Sequence, residues 1–295
     1  MIRRKSLSLG LALVLGLALV SAVAAQQAAL GPDNPENGFP KYVKDINGVK
    51  LDLPRPPIGQ GATGDPLQVF TPPTMIFDVP IPTNPWSVAT GFGAEAFFFL
   101  AQSTMDVGPP LAPTGKAILV LGIEAAYGSG DPLNVPPDQF LFGRVRIRID
   151  APALGTYTVT HPWGTQTFVV DTIDKRNIGF VFDWGGFAPS PNTNPPIASS
   201  FERLLISPTP WRFLRATTMA PLVDPLQWVG DGVTVGTVTG GFNGVNFFRI
   251  EGPDIGGPGV NLLETGQFMV SGHIYQGPDE PRPSATRGAA VIPLF

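Results

Sequence analysis

Cysteine is absent from this sequence, and its absence closes several routes at once. It excludes a disulfide framework, thiolate metal sites, covalent haem and a lipid-modified N-terminal cysteine. Small secreted domains usually need such staples. A chain of 295 residues can bury a sufficient core without them. Histidine is nearly absent too. His161 stands at the end of a strand pattern before Pro162, and His273 lies within one, so each reads as a packed or surface residue. Neither belongs to an HExxH pattern, and no GxSxG nucleophile elbow occurs. The expectation is a protein that is not an enzyme and carries no cofactor. A glycan-active hydrolase, which needs only two carboxylates across a cleft, stays open as an alternative.

Long apolar runs are scarce. One, at 9–20, follows Arg3, Arg4 and Lys5 and leads into small residues at 22–25. That order of basic, apolar and small segments predicts a signal peptide over 1–25. The run is short for a membrane span, and no later run reaches about 18 residues. The expected product is secreted, to periplasm, cell surface or medium, with no integral membrane segment after cleavage. The final Phe295 resembles the end of an outer-membrane barrel. Pro293 spoils a terminal strand, however, and the preceding segments lack a barrel's regular alternation.

Charge is sparse and tilted to the acidic side. Three of the 19 basic residues and none of the 23 acidic ones lie within 1–25, so the remainder carries 16 basic residues against 23 acidic ones, or −7. That balance argues against nucleic acid as a partner.

Glycine and proline, in contrast, are plentiful: 35 and 34 residues. They punctuate apolar runs rich in Phe, Val and Ile, which is the pattern of short strands. The segment 26–65 reads as an extended Pro/Gly-rich arm, with one short hairpin at 42–53 around Asn47-Gly48. Strand patterns follow at 69–70, 75–79, 94–101, 116–127, 139–150, 155–161 and 166–170, giving a β-sandwich over 66–172. Further candidates lie at 178–183, 201–206, 211–215, 233–239, 245–251 and 266–275. They make 173–275 a second sandwich or the second half of the first, and 276–295 a flexible tail. The fold class is therefore all-β. It is either two sandwich modules, immunoglobulin-like or jelly-roll-like, or one large sandwich with a loop-rich insertion.

Within 139–150 the apolar residues change parity at Gly143: Phe140 and Phe142 before it, Val145, Ile147 and Ile149 after it. This predicts a β-bulge at the glycine, with Phe142 and Val145 on one face. Arg144, Arg146 and Arg148 then line the other face about 6.6 Å apart. The next strand, 155–161, reads as the partner in a hairpin, bringing Thr156, Thr158 and Thr160 beside the arginines. Glu95 and Glu124 sit in apolar strands, where an unpaired carboxylate would be costly. At least one of them is expected to form a hydrogen-bonded pair with the arginine row.

The segments AEAFFF (94–99), GRVRIRID (143–150), GTYTVTHPWG (155–164) and NFFRIEGPDIGGPGVN (246–261) together resemble uncharacterised secreted bacterial β-sandwich proteins that often sit ahead of immunoglobulin-like repeats. The resemblance implies an extracytoplasmic location and a structural or adhesive setting. It supplies no functional residues. It also implies cysteines near the N-terminal arm, which this chain lacks.

Two kinds of ligand site are open to the sequence. Calcium takes six to eight oxygen ligands, and two loops offer some: Asp131, Asn134 and Asp138, or Glu251, Asp254 and Asn261. The same residues are ordinary turn formers. Trp163, Trp184, Trp211 and Trp228, with Trp86, stand near Pro or Gly, where indoles stack on sugars or cover the ends of a core. The leading expectation is a structural, adhesive or protein-interaction module with a cell-surface protein or polysaccharide as partner. A carbohydrate-binding module is the first alternative.

Overall fold

The computed structural model describes residues 28–53, 73–128, 139–186, 201–207, 210–280 and 282. Fifteen strands occur among them. The first three are short: β1 (Ala29–Leu30), β2 (Val43–Lys44) and β3 (Lys50–Asp52). The long ones are β4 (Glu95–Val107), β5 (Gly115–Tyr127) and β6 (Gln139–Ile149). Then come β7 (Gly155–His161), β8 (Gly164–Val170), β9 (Ile178–Gly185), β10 (Arg215–Ala216) and β11 (Trp228–Gly236). The last are β12 (Val238–Thr239), β13 (Phe248–Glu251), β14 (Leu262–Thr265) and β15 (Phe268–Ile274).

All pairings are antiparallel. The large sheet runs β4-β5-β6-β9 on one side of β15, with β1-β2-β3 joined to the same strand. β11 follows β15 along one edge, while on the other β4 pairs with Met269–Ser271 and β3 with His273–Ile274. A smaller sheet has the order β14-β13-β7-β8. The sheets meet through aromatic rings: Phe99 on Trp163, Trp163 on Trp184, and Phe168 on Phe180, all with centroids within 6 Å.

The all-β class holds, and the long strands fall where the apolar runs predicted them. The proposed division at 172 does not separate the sheets. β7 and β8 share a sheet with β13, and β4 to β6 share one with β9, β11 and β15. Nor is 26–65 simply an arm, because β1 to β3 belong to the large sheet. Its predicted hairpin is present, with Gly48 at φ 83° in the turn. Asp45 organises that turn. Its buried carboxylate accepts the N–H groups of Asn47 and Val49 and, from far along the chain, that of Phe213. Of the tail, Asp279 accepts a hydrogen bond from the Tyr42 hydroxyl and Arg282 pairs with Asp33.

The expected hairpin of 139–150 with 155–161 is not formed. β6 lies in the large sheet and β7 in the small one, so 151–154 crosses between sheets. Asn177 clamps the crossing at Ala151 through both its amide groups, and the Tyr157 hydroxyl reaches back to Ala153. The threonines therefore face away from the arginines, on a different layer. Three lesser strand assignments also change. Residues 202–205 form a 3-10 turn, 211–215 contributes only to the two-residue β10, and 75–79 makes one isolated bridge, Phe77 to Ala96. The assignment at 69–70 lies outside the described residues, as does the signal segment. A short helix, α1 (Pro85–Thr90), was not expected. Asn84 caps its first turn, accepting from Trp86 and Ser87, with proline at the first helical position.

Candidate binding site on the outer face of the large sheet

β6 pairs with β5 and with β9 without a register shift, so no bulge exists at Gly143. Alternation runs unbroken from Gln139 to Ile149. Leu141, Gly143, Val145, Ile147 and Ile149 point between the sheets, and Phe140 and Phe142 share the outer face with the arginines. The parity argument fails because the glycine answers a different need. Gly143 stands opposite Trp184 on β9, and a Cβ there would lie 2.0 Å from the indole. The missing side chain is a recess for a tryptophan. The bulge is instead on β4, between Phe97 and Phe99, where Phe98 is the extra residue.

That outer face carries the densest group of charges. Arg144 makes a two-pronged bond across the strands to Asp183, with Nε and Nη2 each 2.8 Å from a carboxylate oxygen. Its guanidinium lies 4.8 Å above the Phe142 ring. Its Nη1 is 3.5 Å from Glu124 Oε2. The expected meeting of a glutamate with the arginine row thus occurs, but as an ion-pair distance without a hydrogen bond. Both oxygens of Glu124 are buried without a hydrogen-bond partner, and Asp183 takes the bidentate role.

Glu124 has room because Gly122 faces it: a Cβ at Gly122 would come within 2.7 Å of the carboxyl. Burial pushes its pKa up to about 8, only partly offset by Arg144, so the group is protonated at neutral pH. Burial also raises the pKa of half-buried Glu95. Arg146 is lowered, first by burial and then by its flanking arginines, and its Nε finds no acceptor. Neither Arg146 nor Arg148 has an acidic partner among the described residues.

A pocket of about 210 Å³ opens at this end of the sheet, lined by Glu95, Phe140, Phe142, Arg144, Asp183 and the backbone of Gly185–Gly186. Two acidic side chains, Glu95 and Asp183, flank one guanidinium there. The pocket's capacity is mostly that of a hydrogen-bond acceptor, beside an aromatic wall.

The sugar-stacking expectation is corrected for three of its four tryptophans. Trp163, Trp184 and Trp211 are buried, because their rings fill the space between layers. Trp163 donates to the Arg212 carbonyl. Trp228 is half-buried and packs edge-on against His273, and Trp86 donates to the Tyr127 hydroxyl. Of the calcium candidates, Asp131, Asn134 and Asp138 lie outside the described residues. In the second set, Asn261 accepts the N–H of Asp254 and Asp254 that of Gly259, so both serve the turn. Glu251 is exposed on β13. No group of three or more His, Cys, Asp or Glu suited to a metal ion occurs among the described residues.

His161 is buried and bonded to Gln166, and burial lowers its pKa to about 4, so it is neutral. His273 bonds to Asp52 across β15 and β3. Asp183 and the Phe140–Phe142 wall were missed by sequence reasoning. An unbroken β6 would have put those phenylalanines beside the arginines. Asp183, the acid in an otherwise apolar strand, was the available signal for Arg144.

No helix among the described residues is long and apolar enough to cross a membrane. Comparison with protein-family models, with curated proteins and with solved structures finds no match.

Proposed function

We propose that the protein is a non-enzymatic interaction module working outside the cytoplasm, and that the outer-face pocket receives a basic side chain, lysine or arginine, of a partner protein. The observation that carries this reading is the chemistry of the lining. Glu95 offers a half-buried carboxylate with no hydrogen bond among the described residues, and Asp183 offers its remaining lone pairs. Phe142 and Phe140 supply an apolar wall for the stem of such a side chain. Gly185–Gly186 lets backbone approach closely, as their lack of side chains permits. The signal pattern at 1–25 supports the extracytoplasmic setting, and an acidic chain favours a basic partner.

The test is calorimetric titration with short peptides carrying one lysine or one arginine, at neutral pH and low salt. Binding is expected to weaken with added salt and to drop about tenfold, the equivalent of 1.4 kcal/mol, in Glu95→Gln. Absence of binding to both peptides, or binding indifferent to Glu95→Gln, overturns the reading. Binding of a neutral hexose in their place, lost in the same variant, would install the carbohydrate-binding alternative.

A further inference from the structure

β8 is an edge strand, and it lacks the usual protections of one. Among the described residues it pairs only with β7, and the sequence GTQTFVV holds no charge, no proline and no bulge. The hairpin closes at His161–Gly164 across the two residues Pro162 and Trp163. In such a ladder the pairs alternate, so Gln166, Phe168 and Val170 turn their N–H and C=O groups toward β7. Thr165, Thr167 and Val169 turn theirs out of the sheet. None of these outward groups has a partner among the described residues.

The flank beside this edge is apolar. Phe168 and, on the neighbouring edge strand β9, Phe180 and Phe182 form a run of ring contacts and are half-buried, packed against the core. Val169 is 76% exposed, Ile173 58% and Val181 51%. Among the described residues, a strand edge without a partner thus lies beside half-buried aromatic rings and exposed Val169, Ile173 and Val181.

We infer that this side is a homodimer interface, in which β8 pairs antiparallel with β8 of a second copy about a two-fold axis at Thr167. The occupant follows from the strand itself. Centred on Thr167, the register sets Thr165 against Val169 and Thr167 against its own counterpart. These are the positions whose backbone groups point outward, so each finds its complement in an isologous contact. Centring the axis on Gln166 or Phe168 would leave some of them unpaired. An uncharged strand meets its copy without like-charge apposition. Exposed Val169 and Ile173, with the outer edges of the phenylalanine rings, add apolar area to that of the strand pair.

Sedimentation velocity of the purified full-length protein over a micromolar concentration series tests this. The wild type should show a monomer–dimer equilibrium. Thr167→Lys and Thr167→Glu, both at an exposed position, should each keep the wild-type circular dichroism and melting temperature. Each should weaken dimerisation at least about tenfold, since like charges then face each other across the axis. Mixing the two variants should restore the dimer, because Lys then faces Glu. A wild type that stays monomeric throughout overturns the inference. So does a dimer that persists in both single variants, and so does a mixture that stays monomeric.

Discussion

The two faces of β6 obey different rules. Between the sheets the requirement is volume. Leu141, Val145, Ile147 and Ile149 fill space, and Gly143 withholds its side chain so that Trp184 can enter. On the outer face the requirement is charge: Arg144 must satisfy Asp183 and lies against a carboxyl that burial keeps protonated. The difference teaches that an apolar residue on a strand does not by itself mark the core side. Phe142 is nearly buried on the outer face, under a guanidinium.

The comparison breaks most severely from the inner side. Trp184→Ala should cost about 3–5 kcal/mol in chemical denaturation, the usual range for emptying a large aromatic site. Gly143→Ala should cost about 1–3 kcal/mol, because its Cβ overlaps the indole. In the Trp184→Ala background that second penalty should vanish, since the two positions share one space.

The outer face should answer to pH. An ordinary glutamate titrates at 4.5, and Glu124 in the fold at about 8. Between those values the folded chain holds a proton that the unfolded chain has released. Stability contributed by Glu124 is therefore complete below pH 4.5, falls as pH rises toward 8, and is level above it. Glu124→Gln should remove that slope, which denaturation midpoints at pH 5 and pH 8 can measure. The smallest effect belongs to Asp183→Asn. Asp183 is 40% exposed, so its pair with Arg144 should be worth no more than about 1 kcal/mol.

Much of the fold was legible because both covering layers leave their mark on composition. β4 in its first half and β5 are apolar on consecutive residues, β6 alternates apolar residues with arginines, and all three lie in the interior of the large sheet. The turn at Asn47-Gly48 was legible from its own chemistry. What stayed hidden was partnership. Phase change along a strand has two causes, a bulge or a recess for a neighbour's ring, and only the facing strand decides between them. The bulge on β4, at Phe98, had no local sign, because a run of three phenylalanines fits equally a regular strand covered on both faces. The tryptophans near Pro and Gly were equally ambiguous. Trp211 is buried two residues before Phe213, whose N–H is held by Asp45, more than 160 residues earlier in the chain. The pocket was half legible. Its glutamates and arginine were singled out, but the aromatic wall was assigned to the wrong face.

The position of β15 sets the order in which the sheet can be assembled. This strand, near the end of the described chain, is the shared partner of β3, β4 and β11. Until residues 268–274 have left the ribosome, β11 and the β1–β3 unit have no strand to join. Pairings separated by more than 200 residues, such as His273 with Asp52, make closure slow through the entropy of the loop. A chain emerging N-terminus first must therefore keep its long strands β4, β5 and β6 waiting, with one edge open, while residues 150–274 are made. Over that interval the open edge is exposed to pairing elsewhere.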